Sequence, residues 1–285
     1  MASDLRTIAT TDIAYLDHGG APLTMRVFAP DGDGPFPAVI DLHGGAWNRG
    51  DLSTCRERDE ALAEAGIVAA AIDFRHAGDG YPSSLADINY AIRWFKAHAG
   101  EFGADAGRVG LSGQSSGGHL AMLAAMRPDD PRYAAIPLDG GAGIDARVRC
   151  VGMSWPVINP LSRYRHALRA RARAVPPGWV AGIPECHDRY WGGEAAMEEG
   201  NPMLALERGE AVETPPALWV QGRPDEVHDY RDLDGGAGAN EPERFAASYR
   251  AAGGAIEMVY IDQETRSSPT SFEPLARFFN RHLAG

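Results

Sequence analysis

The chain has 285 residues, 44% of them hydrophobic and 23% charged, an ordinary globular balance with enough length for a sizeable core. Its net charge of −12 and pI near 5.2 oppose binding to phosphate backbones and anionic lipid, so nucleic-acid and membrane-surface roles are not expected. The three cysteines, Cys55, Cys150 and Cys186, are odd in number and far apart, which argues against a disulfide framework or a zinc site. The first twenty residues hold no apolar leader core, and no stretch is long and apolar enough to span a bilayer, so a cytoplasmic location is expected.

In chain order, Ile13–Leu16 and Leu23–Ala29 flank the Gly19-Gly20 turn and read as a hairpin. Residues 37–42 form a short apolar run that stops at His43-Gly44-Gly45. A helix is predicted over 53–65, and Ile67–Phe74 has the continuous apolar pattern of a strand buried on both faces. Leu85, Ile88, Ile92 and Phe95 fall at helical spacing. Arg108–Ser112 reads as a strand that runs through Gly113–Gly118 into a helix over His119–Met126, and Val148–Met153 as the next strand. This alternation predicts a parallel sheet covered by helices.

Residues 156–205 break the rhythm with prolines, Trp179, Trp191 and an arginine run, and read as a cap or lid inserted in one domain spanning 1–285. The arginines from Arg163 to Arg173 are expected on a solvated helix face. The alternation resumes with a strand at 217–221, a helix at 241–252, a strand at Ile256–Ile261 and a helix at 271–283. The glycine-rich stretch 233–240 is expected to be mobile.

Three motifs carry chemistry. Gly113-Gln114-Ser115-Ser116-Gly117 is G-x-S-x-G between a strand and a helix, a setting that projects a serine hydroxyl from a sharp turn at a helix N-terminus. In His43-Gly44-Gly45-Ala46-Trp47, the glycine pair leaves backbone N–H groups free to meet an oxyanion with the N–H of Ser116. His43 is expected to fix this loop, and Trp47 to wall a pocket or belong to the core. In Pro215–Asp225 a strand ends in G-x-x-D, which makes Asp225 the candidate acid, with Glu226 and Asp229 as competing neighbours.

Together these stretches resemble the α/β-hydrolase superfamily, and within it the HGG-type carboxylesterases of the hormone-sensitive-lipase-like and feruloyl- and acetyl-xylan-esterase-like groups. The segments at 41–51, 81–123, 189–206 and 215–227 carry the likeness. The resemblance implies an eight-stranded, mostly parallel sheet flanked by helices, and hydrolysis of a small-molecule ester without cofactor or metal. It implies Ser115 as nucleophile, Asp225 as acid, and Gly44, Gly45 and Ser116 as oxyanion donors. Trp47, Gln114 and Trp191 are candidate substrate contacts. A homo-oligomer stays open.

One departure stands out. The family's histidine follows the last strand, where this chain reads Ile261-Asp-Gln-Glu-Thr-Arg-Ser267, with Thr265 or Arg266 at the expected place. A guanidinium cannot act as a base near neutral pH. His228, three residues after Asp225, is the best substitute, although an exposed loop histidine is the simpler expectation there. His119, His187 and His282 have weaker claims. A carboxylate such as Glu264 is another candidate to move the proton. Three functions follow: an esterase with a relocated base, a receptor-like ligand-binding homologue, or an amide or lactone hydrolase.

Overall fold

The protein is described by a computed structural model over residues 7–235 and 238–285. The first six residues and residues 236 and 237, inside the glycine-rich stretch expected to be mobile, lie outside the described residues. One eight-stranded sheet runs through the molecule in the order β1-β2-β4-β3-β5-β6-β7-β8. The antiparallel hairpin pairs β1 (Ile8–Leu16) with β2 (Leu23–Pro30), and β2 also runs antiparallel to its other neighbour. The strands β3 (Phe36–Leu42), β4 (Val68–Ile72), β5 (Ala104–Gln114), β6 (Val151–Ser154), β7 (Ala217–Arg223) and β8 (Ile256–Asp262) are mutually parallel.

The apolar runs become central strands because both faces of the sheet are covered. Successive side chains point to opposite faces, so one strand feeds two cores. In β4, Val68, Ala70 and Ile72 enter one core while Ala69 enters the other; in β7, Trp219 and Leu218 divide the same way. The first core packs against α2 (Ser83–His98) and α3 (Ser116–Met126). The second packs against α1 (Arg56–Glu64), which a tighter helical turn over Leu52–Cys55 precedes.

Between β6 and β7 the chain leaves the sheet for four helices: α4 (Pro160–Arg171), α5 (Ile183–Trp191), α6 (Glu194–Glu199) and α7 (Pro202–Glu207). After β7 come α8 (Glu241–Ala251), β8 and α9 (Pro269–His282). Asn159 and Asn201 cap α4 and α7 through their side-chain oxygens, on Ser162 N at 3.0 Å and Leu204 N at 3.1 Å. Among the described residues, no helix is long and apolar enough to cross a membrane.

The second core depends on α9, where Leu275, Phe278 and Phe279 are buried together with Leu283 just after it. Phe279 lies over Gly110 of β5 and Gly152 of β6, positions where a Cβ would come within 3.1 Å and 2.7 Å of its ring. Phe279→Ala should therefore cost about 3–5 kcal/mol, read as a lower urea midpoint with an unchanged slope.

Candidate active site

Ser115 stands at the junction of β5 and α3 with φ 53° and ψ −116°, a conformation that non-glycine residues rarely adopt. The surroundings hold it there. Its N–H donates to Ser154 O at 3.0 Å, and its carbonyl accepts from Val157 N at 3.0 Å and His119 N at 3.1 Å. The turn also needs its glycines for contact reasons. A Cβ on Gly113 would meet Gly117 O at 2.3 Å, and one on Gly117 would meet Leu42 O at 2.3 Å. The end of β3 therefore presses directly on the turn.

That contact brings the His43–Trp47 loop to the serine. A Cβ on Gly44 would lie 3.3 Å from Ser115 Cβ. Gly45 has φ 126°, and a Cβ there would meet Arg49 O at 1.8 Å, so the loop accepts only glycine at this point. Among the described residues, neither the Gly44 nor the Gly45 backbone N–H makes a hydrogen bond. His43 Nδ1 donates to Gly44 O at 2.8 Å, which fits its expected service to the loop.

The turn after β7 supplies the other two groups. Asp225 Oδ1 accepts from the N–H groups of Val227 at 2.9 Å and His228 at 3.2 Å, which folds the chain back on itself. Asp225 Oδ2 then meets His228 Nδ1 at 2.8 Å, and Gln221 Nε2 donates to the same oxygen at 3.2 Å. On the far side of the ring, His228 Nε2 stands 3.2 Å from Ser115 Oγ. A carboxylate only accepts, so the proton sits on Nδ1 and leaves Nε2 free to accept from the hydroxyl.

The exposed-loop expectation for His228 is therefore corrected. Its side chain is 7% exposed, because the Asp225 turn draws the ring inward against Ser115. Burial pushes its pKa below 6.5, partly offset by the hydrogen bond and charge of Asp225; Arg163 and Arg266 push it further down. Burial alone would raise Asp225, but its hydrogen bonds and the neighbouring imidazole bring it below the usual carboxylate value. The competing acids are engaged elsewhere: Asp229 with Arg223 at 2.5 Å, and Glu226 with Trp179 Nε1 at 2.8 Å.

The remaining candidates are distributed unevenly. Thr265 turns back to Asp262 O at 2.8 Å, Glu264 is exposed, and Arg266 lines the cavity above Ser115 with its guanidinium 5.6 Å from the Trp155 ring. His119 is buried between Gly200 O at 2.8 Å and Trp47 Nε1 at 3.3 Å. His187 does reach the cavity wall, but burial lowers its pKa to about 3 and its Nδ1 bonds Ile183 O at 2.9 Å.

The cavity measures about 420 Å³, and Trp47 and Gln114 both line it. Gln114 is held from behind by Arg58 Nη1 at 2.9 Å, which is itself paired with buried Asp41 at 2.6 Å. Trp191 is corrected: it packs in the core against Tyr81, Trp47 and His119, and Trp179 lines the cavity instead. The solvated arginine face is corrected at its first member. Arg163 is 4% exposed and lies in the cavity wall, because it falls on the inward stripe of α4 with Ala167 and Ala170. The arginine run had hidden it; the spacing from Arg163 to Ala167 and Ala170 was the available signal.

Comparison with known proteins agrees with this architecture. The family described as BD-FAE matches residues 25–146. LipM of Mycobacterium tuberculosis, a probable carboxylic ester hydrolase, is 37% identical over 131 residues, covering 43% of this chain and 29% of LipM. LipN from the same organism, a carboxylic ester hydrolase, is 27% identical over 280 residues, covering 93% of this chain and 66% of LipN. The chain thus spans under a third of LipM and just under two thirds of LipN. A hyperthermophilic esterase from the archaeon Pyrobaculum calidifontis superposes with a TM-score of 0.72 at 21% identity, over 98% of this chain and 88% of that one. EstE1, a thermostable carboxylesterase from a metagenomic library, gives 0.70 at 23% identity, over 98% and 90%. With its parallel sheet and its serine turn, the chain has the α/β-hydrolase fold and is similar in sequence to carboxylic ester hydrolases.

Proposed function

We propose that this chain hydrolyses small to medium-sized carboxylic esters through an acyl-enzyme on Ser115. The observation that carries this reading is the continuous chain Ser115 Oγ–His228–Asp225, at 3.2 Å and 2.8 Å. In the reading, Oγ attacks the ester carbonyl as His228 Nε2 takes its proton. Asp225 holds the ring in the needed tautomer and stabilises the imidazolium. The N–H groups of Gly44, Gly45 and Ser116 receive the oxyanion. The tetrahedral intermediate collapses, and His228 returns the proton to the departing alcohol. Water, activated by the same imidazole, then releases the acid and restores Ser115.

The receptor-like alternative drew on a serine without an imidazole, and here an imidazole stands at 3.2 Å. Amides and lactones present the same carbonyl, and rates on matched esters and amides separate them. Residues 156–205 act in this proposal as the cap that sets substrate size. Limited proteolysis should show this segment protected by a phosphonate acyl mimic; equal cleavage with and without it would mean a static wall.

Ser115→Ala should lower kcat on p-nitrophenyl esters on the order of 10⁴-fold or more, with thermal unfolding little changed. A variant that kept most of the wild-type rate would sink the nucleophile assignment.

His228→Ala should cost about 10²–10⁴-fold in kcat. The sign of its pH effect follows from burial. The base works only when neutral, and its pKa lies below 6.5, so the acidic limb of kcat/KM should fall below pH 6.5. A limb above that value would contradict the assignment.

Gly45→Ala should depress kcat by about 10²–10³-fold with a smaller change in KM, since the lost interaction belongs to the transition state. Unchanged kcat in a folded variant would remove the loop from the oxyanion site.

A further inference from the structure

Four arginines of the run on and after α4 end on carboxylates: Arg165 on Glu194, Arg169 on Asp234, Arg171 on Glu185 and Arg173 on Glu226. Arg163 does not. Its side chain is buried in the wall of the cavity that holds Ser115, and its Nε and Nη1 have no hydrogen-bond partner. The guanidinium lies 4.5 Å from the Trp179 ring, a contact that supports a cation from its face and leaves the edge donors unspent.

The nearby carboxylates make no ion pair with Arg163. Asp225 is taken by His228 and its own turn. Glu241 uses Oε1 for Ser162 Oγ at 3.2 Å and Arg244 at 3.3 Å, and its buried Oε2 has no hydrogen-bond partner, Arg163 included. Desolvation holds the pKa of Arg163 down at about 10, so it is still protonated at neutral pH. A buried, unpartnered cation is among the costlier features a fold can carry, and the cost is relieved when an anion arrives. The cavity as a whole has the same bias. Arg49, Arg163 and Arg266 line it, and among the described residues no carboxylate does, in a chain of net charge −12.

We infer that the ester cleaved at Ser115 carries a carboxylate of its own, which Arg163 receives inside the cavity. This rests on the serine-hydrolase reading above and names its substrate class. A guanidinium and a carboxylate meet here away from bulk water, where a charge-assisted hydrogen bond is strongest. Arg163 and Arg266 also both lower the basicity of His228, so a bound carboxylate would offset part of their field at the base.

Two matched substrate pairs test the inference and locate the acid. The hydrogen adipate and hexanoate esters of p-nitrophenol place it in the acyl half; m-acetoxybenzoate and m-acetoxybenzamide place it in the leaving half. Wild-type kcat/KM should favour the anionic member of one pair by about tenfold or more, and Arg163→Gln should remove most of that preference. Ratios near one in both pairs, or a preference that survives in Arg163→Gln, would overturn the inference. Turnover of the neutral esters, absent in Ser115→Ala, would leave the hydrolase reading standing in that event. Should Arg163→Gln fail to fold, the wild-type ratios still decide on the carboxylate, and Arg163→Lys, which retains a cation, should keep part of the preference; its complete loss in folded Lys variant would count against a charge-based role. A binding measurement separates the two readings further. Monomethyl adipate should raise the melting temperature of Ser115→Ala more than methyl hexanoate does. The same shift without turnover in the wild type would refute hydrolysis alone, and equal shifts would refute the carboxylate site.

Discussion

The backbone of Ser115 is the constraint on which the rest of the site depends. A non-glycine residue at φ 53° is strained, and the strain persists only where the surroundings over-determine it. Here three backbone hydrogen bonds fix the residue, and close contacts with Gly113 and Gly117 allow β3, β5 and α3 to meet at one point. Because β3, β5, β6 and β7 are adjacent and parallel, their C-terminal ends open on the same side of the sheet. The His43–Trp47 loop, the serine, the Trp155 wall and the Asp225 turn arrive together for that topological reason.

The chain manages buried charge in two opposite ways. Under the serine turn, Arg58 is paired with Asp41 and donates to Gln114, so its guanidinium braces the residue just before Ser115. Burial and the nearby Asp41 push Asp59 well above the usual carboxylate pKa, which keeps a second negative charge out of that cluster. Above the serine, Arg163 has an aromatic face and no acceptor for Nε or Nη1. The Arg58 cation has its counter-ion inside the fold, although Asp41 Oδ1 and both Asp59 carboxyl oxygens lack a partner, whereas the unmet donors of Arg163 lie in the wall of a cavity that an anion can enter.

Much of this was legible in the residues. The apolar runs at 37–42, 67–74 and 217–221 became central strands because burial on both faces demands such patterns. The two glycine motifs were readable because close approach leaves no room for a Cβ. His228 was harder. Family habit directed attention to the connection after β8, and nothing in the spacing of Asp225 and His228 states which way the ring turns. That direction comes from the Asp225 side chain accepting two backbone N–H groups, a tertiary detail of one turn. Arg163 was obscured by composition: four neighbours of the same type do pair on the surface, and only helical phase separates it from them. Trp179 and Trp191 look alike in sequence, and packing alone sends one to the cavity and the other to the core.

Asp225 and His228 belong to the same short turn, and that has a consequence for how the site tolerates change. Where two such groups sit on separate loops, their alignment depends on both connections keeping their lengths. Here a displacement of the turn carries both side chains as one body, and their mutual 2.8 Å contact travels with them. The connection between β8 and α9 is thereby relieved of that alignment and contributes Arg266, which lines the cavity and lowers the pKa of His228. Changes of length across 262–268 can then reshape the cavity wall while the imidazole keeps its carboxylate.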